Sequence, residues 1–268
     1  LKRARAVHVA PAAAWAASAV AAALLWSAGA VAATLQISPV TIEFSAAEVA
    51  TGLTLRNPGD APLYGQVRVF EWSEAHGDDV LTPTGDVIAS PPLIEIAPHS
   101  DQLVRLVRAK APGAPGTPPQ GASGGGGAEA LEQSYRILID ELPAPGTPGA
   151  EGVTIRLRYS VPVFVDAAGA GIARPLLAWR LVHEPQGYAL RADNSGTRRA
   201  QIAAVSLFDD AGHHWDVTNG LLGYALARQS RQWSVPIPAD AKFSGQLKVR
   251  ATVNTLPLED TVSIEQGG

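Results

Sequence analysis

The chain has 268 residues, enough for two domains of ordinary size, and 46% apolar with 17% charged residues suits packed cores rather than general disorder. A net charge of −4 argues against a protein that binds nucleic acid through its phosphates. There is no cysteine, which removes disulfides, thiolate metal sites and cysteine nucleophiles together, so each domain must hold by burial alone.

Taken in chain order, residues 1–32 read as an export signal. Lys2, Arg3 and Arg5 give a positive start, an apolar run follows from Ala12 to Trp26, and Ala30-Val31-Ala32 fits the small-x-small cleavage pattern. The run is short for a bilayer span of ~20 residues, which favours a cleaved signal over a membrane anchor and makes Ala33 the expected mature start. No later segment is apolar enough to span, so the mature form is expected to lack a membrane span.

After Ala33 the dominant period is two. Leu35 and Ile37, then Val40, Ile42 and Phe44, describe a strand that changes face near Pro39. Leu53 and Leu55 run into Asn57-Pro58-Gly59-Asp60, a strong turn signal. Val67, Val69 and Trp72 mark the next strand, and Ile94 and Ile96 lead into the turn Ala97-Pro98-His99-Ser100. Leu103, Leu106 and Val107 mark another, and Tyr135, Ile137 and Ile139 another, ending at Leu142-Pro143. Residues 111–127 and 143–152 are rich in Pro and Gly and read as loops or tethers. Ala167-Ala168-Gly169-Ala170-Gly171 reads as a hinge between domains at 33–166 and 172–268. A weak repeat supports two similar domains: Leu53 to Gly59 recurs in outline as Leu190 to Gly196, each ending in an Asn-centred turn. Later strands are expected over 203–208, 232–237, 247–253 and 261–264, and residues 220–227 are the one plausible short helix. Short strands separated by turns predict an all-β sandwich or barrel.

The most informative run is residues 153–165, where every odd position is apolar. At the usual rise per residue it spans roughly 40 Å, longer than most strands. Its apolar ridge could pack inside its own sandwich. Alternatively Pro162 marks an edge, and an apolar edge strand that persists is one used to pair with a partner.

Four stretches together resemble the periplasmic pilus-chaperone family: Leu35-Gln36-Ile37-Ser38-Pro39-Val40, the Ala97 to Ser100 turn into Gln102-Leu103-Val104-Arg105-Leu106, the strand Ser134 to Pro143, and the run 153–165. The resemblance covers most of residues 33–166 and points to a divergent or archaic-type branch. It implies two immunoglobulin-like β-sandwich domains at an angle, in a periplasmic protein that is monomeric when free. It also implies a pilin or spore-coat-like subunit completed by the long strand, an outer-membrane usher as recipient, and no cofactor or catalysis. Pairing of a pilus chaperone with its pilin is a known instance of strand addition. The subunit-binding residues would then be Val153, Ile155, Leu157, Tyr159 and Val161. The best-known branch anchors the subunit's terminal carboxylate with an Arg in the first strand and a Lys in the long strand, but Thr41 and Pro162 stand at those places here. Arg105 and Arg158 are the candidate anchors, with Arg108 and Arg156 behind them, because a buried carboxylate needs a charged hydrogen-bonding partner.

An enzyme is the first competing reading. His213-His214 with Asp216, and His183-Glu184, could be taken for metal ligands, but adjacent histidines on a strand point to opposite faces, so no metal is expected. Ser195 sits in a turn rather than a nucleophile elbow, and Gly124 to Gly127 lacks the Lys and helix of a phosphate loop. The second competitor is a structural or adhesive surface protein, itself a subunit that polymerises.

Overall fold

The computed structural model describes residues 35–109, 130–146, 155–167 and 173–266, and among these there is no helix. The first unit contains β1 (Gln36–Ser38), β2 (Ile42–Phe44), β3 (Ala50–Arg56), β4 (Leu63–Ala75), β5 (Asp78–Pro83), β6 (Val87–Ser90), β7 (Leu93–Ile96), β8 (Asp101–Arg108), β9 (Gln133–Leu142) and β10 (Arg158–Val165). One sheet has the order β1-β3-β8-β6; the other runs β2-β10-β9-β4-β5, with β7 also on β4. The face change read near Pro39 is a change of sheet, β1 pairing with β3 and β2 with β10. Alternation places Leu53, Leu55, Val104 and Leu106 of one sheet against Ile137, Ile139, Val163 and Phe44 of the other, all essentially without exposed surface.

The second unit contains β11 (Leu177–Glu184), β12 (Gly187–Asn194), β13 (Ala200–Asp209), β14 (His214–Ala225), β15 (Ser230–Val235), β16 (Leu247–Val253) and β17 (Leu256–Gln266), along the path β14-β13-β16-β17-β11-β12-β15. The last strand serves both sheets. Through Thr261 it runs antiparallel to β16, and from Val262 it runs parallel to β11. Its core is built on Leu181, Leu190, Ile202, Leu207 and Val249. The helix expected over 220–227 is instead the end of β14 and the turn after it. The β13–β14 pairing carries register shifts between Ile202 and Ser206, and a bulged ladder breaks the strict alternation that would have marked a strand. The expected hinge lies largely outside the described residues, which resume at Ala173.

The repeat is real in three dimensions. Asn57 is buried and its Nδ2 donates to the carbonyls of Ala61 and Ile96 at 2.8 and 3.0 Å, while its Oδ1 accepts from Gly59 N–H at 3.0 Å. Asn194 repeats the set with Arg198 and Ala225 at 2.8 and 3.0 Å, and with Gly196 N–H at 3.0 Å. Each amide replaces main-chain partners at a point where the chain leaves a sheet, so Asn is demanded at both places.

Candidate functional site

The candidate site is the first half of β10. On one side β10 pairs antiparallel with β9 along its whole length, Arg158 opposite Asp140 through Val165 opposite Gln133. On the other side β2 covers only Val163 to Val165, in parallel. From Arg158 to Pro162, therefore, no strand among the described residues occupies the second edge. Glu141 N–H donates to Leu157 O at 3.0 Å, so position 157 faces β9. Alternation then turns the main-chain groups of Arg158, Ser160 and Pro162 to the open edge. Pro162 has no N–H to lose there, which is why the sheet tolerates it.

The apolar ridge is divided between buried and exposed positions. Val161, Val163 and Val165 are 3% exposed or less and belong to the chain's own core, and Tyr159 packs at the rim of that core. Ile155 and Leu157 are 78% and 38% exposed. Where a continuous strand was expected from residue 153, β10 begins at Arg158, and Val161 is buried in the chain's own core. The cause is geometric. The same alternate face is covered while the opposite sheet lies above it and uncovered once the strand runs past that sheet. Val153 lies outside the described residues.

Arg105 and Arg158 are not brought together. Arg105 is on the outward face of β8, in the other sheet, between Gly52 and Ser90, and makes no ion pair among the described residues. Arg158 is on the outward face of the β10 sheet and pairs with Asp140, which also binds Arg68 at 2.6 Å. Burial alone would raise the Asp140 pKa, but hydrogen bonds and charge from Arg158 and Arg68 outweigh it and hold the carboxyl below its usual range. Arg108 donates to the carbonyls of Ala46 and Glu48 at 3.0 Å, a structural use, and Arg156 is an exposed residue ahead of the strand.

A cation that the sequence reading did not single out is Arg136. It stands opposite Pro162, lies 3.7 Å over the Trp72 ring, and donates to Ser160 Oγ at 3.3 Å. Asp79 is 3.7 Å away, a long ion pair that leaves donors spare. The side chain is 18% exposed, and burial lowers its pKa. In sequence it was only the outward member of an alternating strand, indistinguishable from a solvated charge.

Arg136 sits where the two units meet. Trp72 and Phe164 pack with Tyr224 and Leu226 of the second unit, ring centroids 5.5 to 5.9 Å apart. Arg199 reaches across to Glu132 at 2.5 Å and to Glu43, and stacks 3.6 Å over Phe164. Its side chain and that of Glu132 are 8% and 2% exposed, so this is a buried ion pair. The β4–β5 hairpin tip adds a third attachment: Gly77 O accepts from Gln232 N–H at 3.1 Å and from Arg231 at 2.6 Å. Between these, Glu74 accepts from Leu226 N–H at 3.0 Å. Burial pushes its carboxyl up to about 7, against the pull of Leu226 N–H, Arg231 and Arg136.

The histidines of the enzyme reading bind different carboxylates, His213 to Asp209 and His214 to Asp216, each at 2.8 Å. Among the described residues no three potential ligands gather to hold a metal, and no helix is long and apolar enough to cross a membrane.

These features define a class: a two-sandwich, immunoglobulin-like protein in which, among the described residues, no strand covers the second edge of the first half of β10, beside the junction of its domains. Residues 34–170 match the profile of the pili and flagellar-assembly chaperone family, PapD N-terminal domain. The chain belongs to that family. Among solved structures it is similar to the CsuC–CsuE chaperone–tip adhesion subunit pre-assembly complex from the archaic chaperone-usher Csu pili of Acinetobacter baumannii. The match has 22% identity, 87% of this chain, 100% of the matched chain, and a TM-score of 0.62. The CupB2 chaperone of Pseudomonas aeruginosa matches at 16% identity over 84% of this chain and 97% of that one, with a TM-score of 0.51. The YadV chaperone matches at 14% identity over 85% and 98%, with a TM-score of 0.56. A search of curated proteins finds no match.

Proposed function

We propose that this chain is a periplasmic chaperone that catalyses no reaction. It holds a pilin-like subunit by lending it the open edge and projecting side chains of the β10 region, then delivers it to an outer-membrane usher. The observation that carries this reading is the edge from Arg158 to Pro162, open on one side and continued by exposed Ile155 and Leu157. A strand laid parallel along that edge would run toward β2, which blocks further travel at Val163. Its carboxyl terminus would arrive beside Arg136, and we assign the carboxylate anchor to that guanidinium rather than to Arg105 or Arg158. Arg158 is engaged by Asp140, and Arg105 faces away on the other sheet. Ile155 and Leu157 would each contribute ~1.5–3 kcal/mol on full burial in the subunit. The alternative, that the chain is itself a surface subunit, is not favoured, because the first sandwich already carries its own last strand, β10, between β9 and β2.

The test is copurification from the periplasm, with the bound polypeptide identified by mass spectrometry. The wild-type chain is expected to bring down a pilin-like subunit, and the double variant Ile155→Asp, Leu157→Asp to lose it while keeping its unfolding midpoint. Undiminished recovery by a folded double variant would remove the segment from the mechanism.

A further inference from the structure

The offered segment is held at its base by one carboxylate. Opposite position 157 an antiparallel ladder would normally supply the main-chain carbonyl of residue 141 as acceptor. Here Glu141 N–H still donates to Leu157 O at 3.0 Å, but Leu157 N–H donates instead to the side-chain Oε2 of Glu141 at 3.2 Å. The second oxygen, Oε1, accepts from the Tyr159 hydroxyl at 3.1 Å. That hydroxyl in turn accepts from Leu35 N–H at 3.1 Å. The carboxylate thus bridges β9 and β10 just where they part, and the phenol carries the link to the segment leading into β1.

We propose that Glu141 is a positioning residue for subunit capture, fixing the direction in which Leu157 and Ile155 leave the sheet. It rests on the reading above that these two side chains enter the partner. Glu141 is partly exposed and lies outside the sandwich core, and among the described residues its carboxylate accepts hydrogen bonds from Leu157 N–H and the Tyr159 hydroxyl. Ordering a free segment opposes binding, so a clamp that orders it in advance speeds capture. The same bonds give Tyr159 a different role from the one its place in the ridge suggests. Its ring stays at the rim of the chain's own core and its hydroxyl is spent on the link, so it is a latch, and the partner receives Leu157 and Ile155 in front of it.

The experiment compares Glu141→Ala, Glu141→Gln and Tyr159→Phe in the full chain. In the free protein, amide exchange at Leu157 is expected to speed up about tenfold in Glu141→Ala and to stay near wild type in Glu141→Gln, which keeps an acceptor. Tyr159→Phe is expected to fall between them. The subunit recovered with the wild-type chain is then denatured and refolded in the presence of each variant. Capture by Glu141→Ala should be slower by about tenfold with an unchanged unfolding midpoint, and Glu141→Gln should restore it. An unchanged Leu157 exchange rate overturns the proposal, as does a capture defect in Glu141→Ala that tracks a lowered midpoint and is not rescued by Gln. If instead the Ile155→Asp, Leu157→Asp variant captures normally, the functional reading fails together with the capture role, and the exchange rates alone still report whether Glu141 orders the segment.

Discussion

Glu74→Gln is expected to remove a pH dependence built into the contact between the two domains. The Glu74 carboxyl accepts from Leu226 N–H through Oε2, while Oε1 is buried without a hydrogen-bond partner among the described residues. Its other charged neighbours are Asp79 of β5, Arg231 of β15 and Arg136 of β9. Burial raises it from 4.5 to about 7, with Asp79 adding to the rise and Leu226 N–H, Arg231 and Arg136 opposing it. Because the folded value lies above the unfolded one, the folded chain binds the extra proton between those limits. The cost of burying the charge is therefore absent below about 4.5 and fully expressed above about 7. The interval corresponds to a loss on the order of 3 kcal/mol across that window. A neutral amide does not titrate, so the stability difference between Glu74→Gln and wild type should grow by about that amount from acid to mildly alkaline pH. Urea unfolding of both proteins across this range measures it. Parallel curves for the two would refute the assignment of the proton to Glu74.

Three further outcomes follow from the same geometry. Arg199→Ala removes the nearest cation from buried Glu132, leaving it the position-199 N–H and the Arg198 guanidinium at 3.5 Å, and should cost up to about 3–5 kcal/mol in urea unfolding, whereas Arg199→Met with Glu132→Gln should recover most of it. Asn57→Asp and Asn194→Asp each remove the donors that satisfy buried carbonyls, and each should cost about 2–4 kcal/mol, measured by thermal unfolding, with the damage confined to its own sandwich. Arg136→Ala should weaken subunit retention at least about tenfold in a pull-down, while Arg105→Ala leaves it unchanged.

What the sequence disclosed and what it hid divide along a physical line. Period two revealed the strands with one buried face, and the paired Asn turns revealed the duplication, because local chemistry requires an amide at Asn57 and Asn194. It did not reveal β5, whose residues are all exposed and carry no alternation. It predicted a helix in a region that pairs as a bulged strand. The ridge at 153–165 was legible as a face, but where that face passes from core to open depends on where the opposite sheet ends, a nonlocal fact. The surroundings of each arginine were hidden for the same reason. Arg105 and Arg136 are both outward members of alternating strands, and only the assembled sheets show that one faces away on the far sheet while the other stacks on Trp72 at the domain junction. Trp72, Phe164, Tyr224 and Leu226 meet from separate parts of the chain, so no local pattern announces them.

The claim that a partner strand pairs with the open edge of β10 is tested most directly by amide exchange of the chain with its captured subunit. The N–H groups of Arg158 and Ser160 face that edge, so they should exchange readily in the free protein and become strongly protected in the complex. If both amides exchange at the same rate with and without the subunit while protection appears on another surface, the subunit is held by some other means.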